Sequence, residues 1–134
     1  MRKFLSILVF LALVIAVAQP VIAADDEEAA SETGYFALKP SIVSNLTGGP
    51  KYIRCDIQFM TNYASEIPKI ELHSAALRHA ILMLLSGQDG NQLKTAEGKE
   101  GLRKAALEAS REQLKKLTGK PIVDDLYFTA YYVK

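Results

Sequence analysis

The sequence predicts an α+β domain in which a small antiparallel sheet carries two helices packed on one face. Three observations carry that expectation. Apolar and polar residues alternate in three stretches, 36–46, 53–59 and 122–133, the period of strands with one covered face. Between the second and third stretches, apolar residues recur every three or four positions in two runs, 65–86 and 95–118, the period of amphipathic helices. The order strand, strand, helix, helix, strand contains no repeating strand-helix unit, so the helices gather on one side of an antiparallel sheet.

The chain has 134 residues, enough for one domain of ordinary size once its front end is set aside. Arg2 and Lys3 precede an apolar run, Phe4 to Ala18, broken only by Ser6. Gln19 and Pro20 end the run, and Val21-Ile22-Ala23 supplies the small residue and spacing of a signal-peptidase site, with cleavage expected between Ala23 and Ala24. The alternative is an uncleaved signal anchor, because 21 residues as a helix span about 31 Å, enough for a bilayer core. Either outcome exports the rest, since basic residues precede the apolar run and acids follow it. Residues 24–34 read as an acidic linker: Asp25, Asp26, Glu27, Glu28 and Glu32 lie among small or polar side chains that cannot bury enough surface to offset chain entropy. The domain proper is expected over residues 35–134.

These five acids conceal a charge asymmetry. Of 16 basic and 15 acidic residues, only Arg2, Lys3 and those five acids precede Tyr35, which leaves 14 basic against 10 acidic in the domain. A charge of +4 is too small for a nucleic-acid binder, and no nucleic-acid partner is expected. Cys55 is the single cysteine, so no internal disulfide can staple the domain.

In the first strand, Phe36, Leu38, Ile42 and Leu46 alternate with Ala37, Lys39, Ser41 and Asn45. Pro40 donates no ladder hydrogen bond, which places the strand at a sheet edge or bulges it there. Thr47-Gly48-Gly49-Pro50 makes a turn, and Ile53, Cys55, Ile57 and Phe59 alternate with Tyr52, Arg54, Asp56 and Gln58 to complete a hairpin. The first helix is expected to start with Ser65 as its cap and Glu66 and Pro68 in its first turn. Its stripe is Ile67, Ile70, Ser74, Leu77, Ile81 and Leu84, and it ends at Ser86-Gly87. Residues 88–94 read as a polar connection. Thr95, with Glu97 and Glu100 behind it, starts the second helix, which buries Leu102, Ala106, Leu107, Leu114 and Leu117. Lys115 and Lys116 suit its negative end, Gly119 its left-handed cap, and Pro121 stops it. In the closing strand Leu126, Phe128, Ala130 and Tyr132 alternate with Asp125, Tyr127, Thr129 and Tyr131.

The residues offer little to catalysis. His73 and His79 are six apart on one helix, about 240° of net rotation, and cannot share a metal without help from elsewhere. Cys55 sits between Ile53 and Ile57 on the apolar face, where a thiol behaves as a small hydrophobe with a raised pKa. Glu66 and Glu71 read as solvated helix charges, and Gly48-Gly49 lacks the following lysine and helix of a phosphate cradle. Asn45-Leu46-Thr47 fits a glycosylation sequon that is incidental after a bacterial export signal. No enzyme activity, metal or cofactor is expected.

Four segments resemble a known family. Tyr35 to Leu46 is similar to the opening of the FliL family of flagellar basal body-associated proteins. Arg78-His79-Ala80-Ile81-Leu82-Met83-Leu84-Leu85-Ser86 resembles its helix, Thr95 to Arg103 its T-x-E-G-K-E-x-L-R element, and Asp125-Leu126-Tyr127-Phe128-Thr129 its closing strand. The resemblance implies a stomatin/prohibitin-like periplasmic domain and a non-enzymatic role at the flagellar motor, supporting torque and motor response in motility and chemotaxis. It also implies rings around a MotB-type stator subunit, with the inner membrane as a further partner if the leader is kept. The short front end departs from the family's usual anchor, and an exported scaffold or binding domain unrelated to motility is the alternative.

Self-association is also expected from the residues. The first helix offers Ile67, Ile70, Leu77, Ile81, Leu82, Met83, Leu84 and Leu85, more than one sheet face can cover. Alternation puts Tyr127 and Tyr131 on one face and Phe128 and Tyr132 on the other, so one aromatic pair stays outside. Met83, Tyr127 and Tyr131 are therefore the candidate contact residues for a partner or a second copy.

Overall fold

A computed structural model describes residues 32–134, and the leader, its cleavage site at Ala23 and Ala24, and most of the acidic linker lie outside those described residues. Strands β1 (Gly34–Asn45), β2 (Tyr52–Thr61) and β3 (Asp125–Val133) form one antiparallel sheet in the order β1-β2-β3. Helices α1 (Ile67–Leu72), α2 (Ser74–Ser86), α3 (Gly90–Leu93) and α4 (Ala96–Thr118) lie between β2 and β3 in sequence. The expected α+β architecture is present, and β1 is both an edge strand and irregular at Pro40, where the Lys39-Pro40 peptide is cis. Among the described residues no helix is long and apolar enough to cross a membrane.

One face of the sheet makes the core. Leu38 and Ile42 of β1, Ile53, Cys55, Ile57 and Phe59 of β2 and Leu126 of β3 are buried against Ile70, Leu77, Ile81 and Leu85 from α1 and α2 and Leu102, Ala106 and Leu114 from α4. Burying a Leu, Ile or Phe side chain contributes about 1.5–3 kcal/mol, so this single layer supplies most of the favourable term without a disulfide.

The first helical stretch starts differently from expectation. Ser65 sits inside a short 3₁₀ turn, Ala64–Glu66, and neither this turn nor α1 has a side-chain cap. Pro68 instead fixes the first turn of α1, where its missing N–H has no partner to lose. The chain kinks at His73, yet the ladder continues through it, with His73 N–H donating to Lys69 O and Leu77 N–H to His73 O. Thus α1 and α2 keep one apolar stripe, ending on the buried Leu85 while Leu84 is half-buried.

The connection expected over 88–94 contains α3. Asp89 caps it by accepting from Asn91 N–H at 2.9 Å, and Leu93 is buried. In α4 the buried row is Leu102, Ala106, Ser110 and Leu114, a strict four-residue repeat. Ser110 satisfies its hydroxyl on Ala106 O at 2.7 Å, whereas Leu107 is half-buried and Leu117 is exposed. Gly119 closes α4 with φ +83°, the left-handed conformation that favours glycine.

The largest departure lies in β3. Opposite Asp56 and Ile57 the register shifts, and Thr129 is the extra residue between Phe128, paired with Ile57, and Ala130, paired with Asp56. An inserted residue reverses the phase of everything after it. Phe128 and Tyr131 consequently share the helix-covered side, with ring centroids 5.2 Å apart, and Tyr131 donates its hydroxyl to Leu93 O at 2.7 Å. The expected sharing of one face by Tyr127 and Tyr131 is corrected by this bulge: Tyr127 and Tyr132 are the two exposed tyrosines of β3.

Candidate interaction surface

The cysteine is committed to packing, while His79 and Glu71 are exposed and His73 and Glu66 half-buried. Cys55 is fully buried, and burial, reinforced by the nearby Asp56 charge, pushes its thiol up to about 12. Burial, with Cys55 beside it, likewise raises the Tyr131 phenol to about 12. Neither group ionises near neutrality, so neither is poised as a nucleophile or base. Among the described residues no group of three or more His, Cys, Asp and Glu side chains could hold a metal.

The four recognisable segments meet one another. Arg78 on α2 donates to Pro40 O at the irregular part of β1, which joins the first segment to the second. Thr95 caps α4 by accepting from Gly98 N–H at 2.9 Å while its hydroxyl donates to Gln92 O at 2.8 Å. Gly98 lies so close to α3 that a Cβ there would stand 1.8 Å from Gln92 O. Lys99 holds its ammonium 4.9 Å above the Tyr131 ring, and Leu102 enters the core. Arg103 grips Glu100 at 2.6 Å on its own helix and Asp125 at 2.5 Å at the start of β3, and also donates to Leu126 O at 3.2 Å.

The electrostatics of this clasp follow from its contacts. The hydrogen bond from Arg103 holds the Glu100 carboxyl below its ordinary value. Burial alone would raise Asp125, but the Leu126 N–H, the Tyr127 hydroxyl and the Arg103 guanidinium together hold it below its ordinary value. Arg103 itself is raised, chiefly by the Glu100 hydrogen bond. Thr95 to Arg103 is therefore a fastening between α3, α4 and β3.

Among the described residues, nothing covers the other face of the sheet. Tyr35 and Val43 of β1, Tyr52, Arg54, Gln58 and Met60 of β2, and Tyr127 and Tyr132 of β3 alternate with the core residues and point away from the helices. Tyr35 is 56% and Tyr132 61% exposed. The face has two halves, because both outer strands are irregular at the level of Asp56. There a notch of about 330 Å³ opens beside Lys39, Pro40, Asp56 and Thr129. One half carries Tyr35 and Tyr127, the other Tyr52 and Tyr132 around Arg54. Tyrosine and arginine are the residues enriched where proteins meet.

Of the expected contact residues, Tyr127 is on this open face, Tyr131 is half-buried on the covered side, and Met83 is 62% exposed on α2. The structure does not bring these three together. Tyr35, Tyr52 and Arg54 were singled out by nothing but their place in the alternation, which shows a side but not whether helices cover it.

No curated protein matches the chain. A family model described as flagellar basal body-associated protein FliL matches residues 35–133, from the second residue of β1 to the last residue of β3. The match spans the four fastened segments and the whole sheet, and the chain belongs to the FliL family of flagellar basal body-associated accessory proteins.

Proposed function

We propose that this chain is a non-enzymatic accessory of the flagellar motor that acts by protein contact, supporting torque and motor response in motility and chemotaxis. The observation that carries this reading is the division of the sheet: the Cys55 thiol and the Tyr131 phenol, both pushed up by burial, lie on the helix-covered side, while among the described residues the other face is uncovered and presents tyrosines and an arginine. Such a surface recognises partners and has no arrangement for bond chemistry. Family membership supports placement at the basal body.

The finer picture extends this reading. Residues 1–23 act as signal peptide or anchor, 24–34 as an acidic linker, and 35–134 as a stomatin-like domain on the periplasmic face of the inner membrane. There it self-associates and meets a MotB-type stator subunit, with Met83, Tyr127 and Tyr131 as candidate contact positions. Deletion of the gene should shrink swimming rings in soft agar, with restoration by the wild-type chain. Capture of the full chain from membranes should bring down the stator subunit. Normal swimming after deletion, with no stator captured, would overturn the motor role and leave an exported scaffold as the function.

A further inference from the structure

The two halves of the open face differ in charge. At the end away from the chain's entry, Arg54 stands between Val43 and Tyr132 in register, and Tyr52 exchanges backbone hydrogen bonds with Lys134. Arg54, Lys51 and Lys134 are in no ion pair among the described residues. The acid closest to them along β2 is Asp56, at the notch. Asp89 lies against Gly48 in the neighbouring turn and also makes no ion pair with them, so this end is a cationic, aromatic platform whose three cations have no ion-pair partner among the described residues.

The same chain carries the complementary charge. Asp25, Asp26, Glu27 and Glu28 are consecutive, and Ala29 and Ala30 follow them, small enough to lie against tyrosine rings. Their own chain cannot deliver them to Arg54. Gly34 pairs with Thr61, seven positions along β2 from Arg54, a separation of about 23 Å at the rise of a strand. Glu32 lies two residues further out, its carbonyl held by Ala64 N–H, which makes the distance to Arg54 about 30 Å. From Glu32, four residues reach back to Glu28 and seven to Asp25, at most about 14 Å and 25 Å when fully extended. Backbone reach falls short for all four acids, and only Asp25 could close the gap with stretched side chains, so the segment as a whole cannot lie along its own chain's platform.

We propose that the Arg54 end of the open face docks the acidic segment 25–28 of a neighbouring copy. The proposal rests on the self-association read above and names the residues each copy contributes. Each chain offers a platform at one end of the sheet and an acidic segment beyond the other, so the contact runs head to tail and repeats from copy to copy.

The test uses the full chain in detergent, with a benzophenone amino acid at Tyr132, mixed with an isotope-labelled wild-type chain. Irradiation should join the two species, with the cross-link mapping to residues 24–33 of the labelled chain. Arg54→Glu should lower its yield about tenfold, the summed worth of two or three exposed ion pairs. Asp25→Lys, Asp26→Lys, Glu27→Lys and Glu28→Lys in the labelled chain, set against a benzophenone chain that carries Arg54→Glu, Lys51→Glu and Lys134→Glu, should restore it, because exchanged charges attract again. Tyr132, Arg54, Lys51 and Lys134 are exposed, so these changes leave the core intact. A chain that sediments as an associated species, yet cross-links only to residues 34–134 or ignores the charge changes, would overturn this docking alone and give the face another occupant. A strict monomer at high concentration would overturn self-association as well.

Discussion

The two faces of the sheet are made by the same three strands and obey different rules. On the covered face, Ile53, Cys55, Ile57 and Phe59 of β2 are all fully or almost fully buried, and the side chains that reach them from α2 and α4 are aliphatic. On the open face the intervening residues are Tyr52, Arg54, Asp56, Gln58 and Met60, which exchange shape for chemistry. The recognisable segments fasten the covered side, through Arg78 on Pro40 O, Gly98 against Gln92 O and Arg103 on Asp125. Family membership can therefore be read largely from residues that hold the scaffold, while Tyr52, Arg54, Gln58, Met60 and Tyr132 of the open face lie outside those segments.

The sharpest way to break this contrast is to cut into the covered face. Phe59→Ala removes a fully buried ring and should cost about 3–5 kcal/mol, measured by urea unfolding, enough to unfold much of a marginally stable domain. Destabilisation below 1 kcal/mol would mean that the core closes over the cavity or is loosely packed.

The next effect tests the fastening. Gly98→Val forces a side chain into Gln92 O and should cost about 1–3 kcal/mol by overpacking, with α3 pushed from α4. Amide exchange that stays slow over residues 90–98 in the variant would show that α3 gives way without penalty.

A smaller loss, about 1 kcal/mol, is expected for Arg103→Met, because the pair with Asp125 is only partly shielded from water. Its pH dependence is more informative. Glu100 and Asp125 are both held below their ordinary values of 4.5 and 3.8, so their contribution is present above those values and lost as pH falls through the lower folded ones. Melting curves between pH 7 and pH 2 should show wild type losing stability more steeply than Arg103→Met in the acid range. Parallel curves would remove the clasp from the acid response.

The smallest effect belongs to the open face. Tyr132→Ala should change stability by no more than about 0.5 kcal/mol, since the ring is largely solvated, while reducing association of the full chain in sedimentation. A large stability loss with unchanged association would put Tyr132 among the structural residues after all.

The sequence disclosed an antiparallel sheet, the succession of strands and helices along the chain and the two helical stripes, because periods of two and of about three and a half leave a direct trace in hydrophobicity. It disclosed less where one residue changes the count. Thr129 has no composition that announces a bulge, so the phase of Tyr131 and Tyr132 was open to misreading until the partners on β2 were known. The α3 turn was hidden for another reason: four residues are too few to show a period, and only Asp89 as a cap hints at it. The open face was half legible. Alternation separated Tyr52 and Arg54 from the core set, but which side the helices would leave bare is a tertiary outcome.

The bulge at Thr129 makes strand pairing, as well as residue identity, a determinant of what the surface displays. A strand that kept Thr129 but paired it with Asp56, closing the bulge, would re-phase its last four positions. The phenol that now donates to Leu93 O would turn to solvent, and the ring now offered outward at Tyr132 would be driven beneath the helices. The same residues can thus exchange the aromatic they show for the one they hide by a one-residue shift of pairing, with no side chain altered. Loss of Thr129 would do the opposite, since a regular strand without it keeps Tyr131 opposite Cys55 and Tyr132 opposite Arg54.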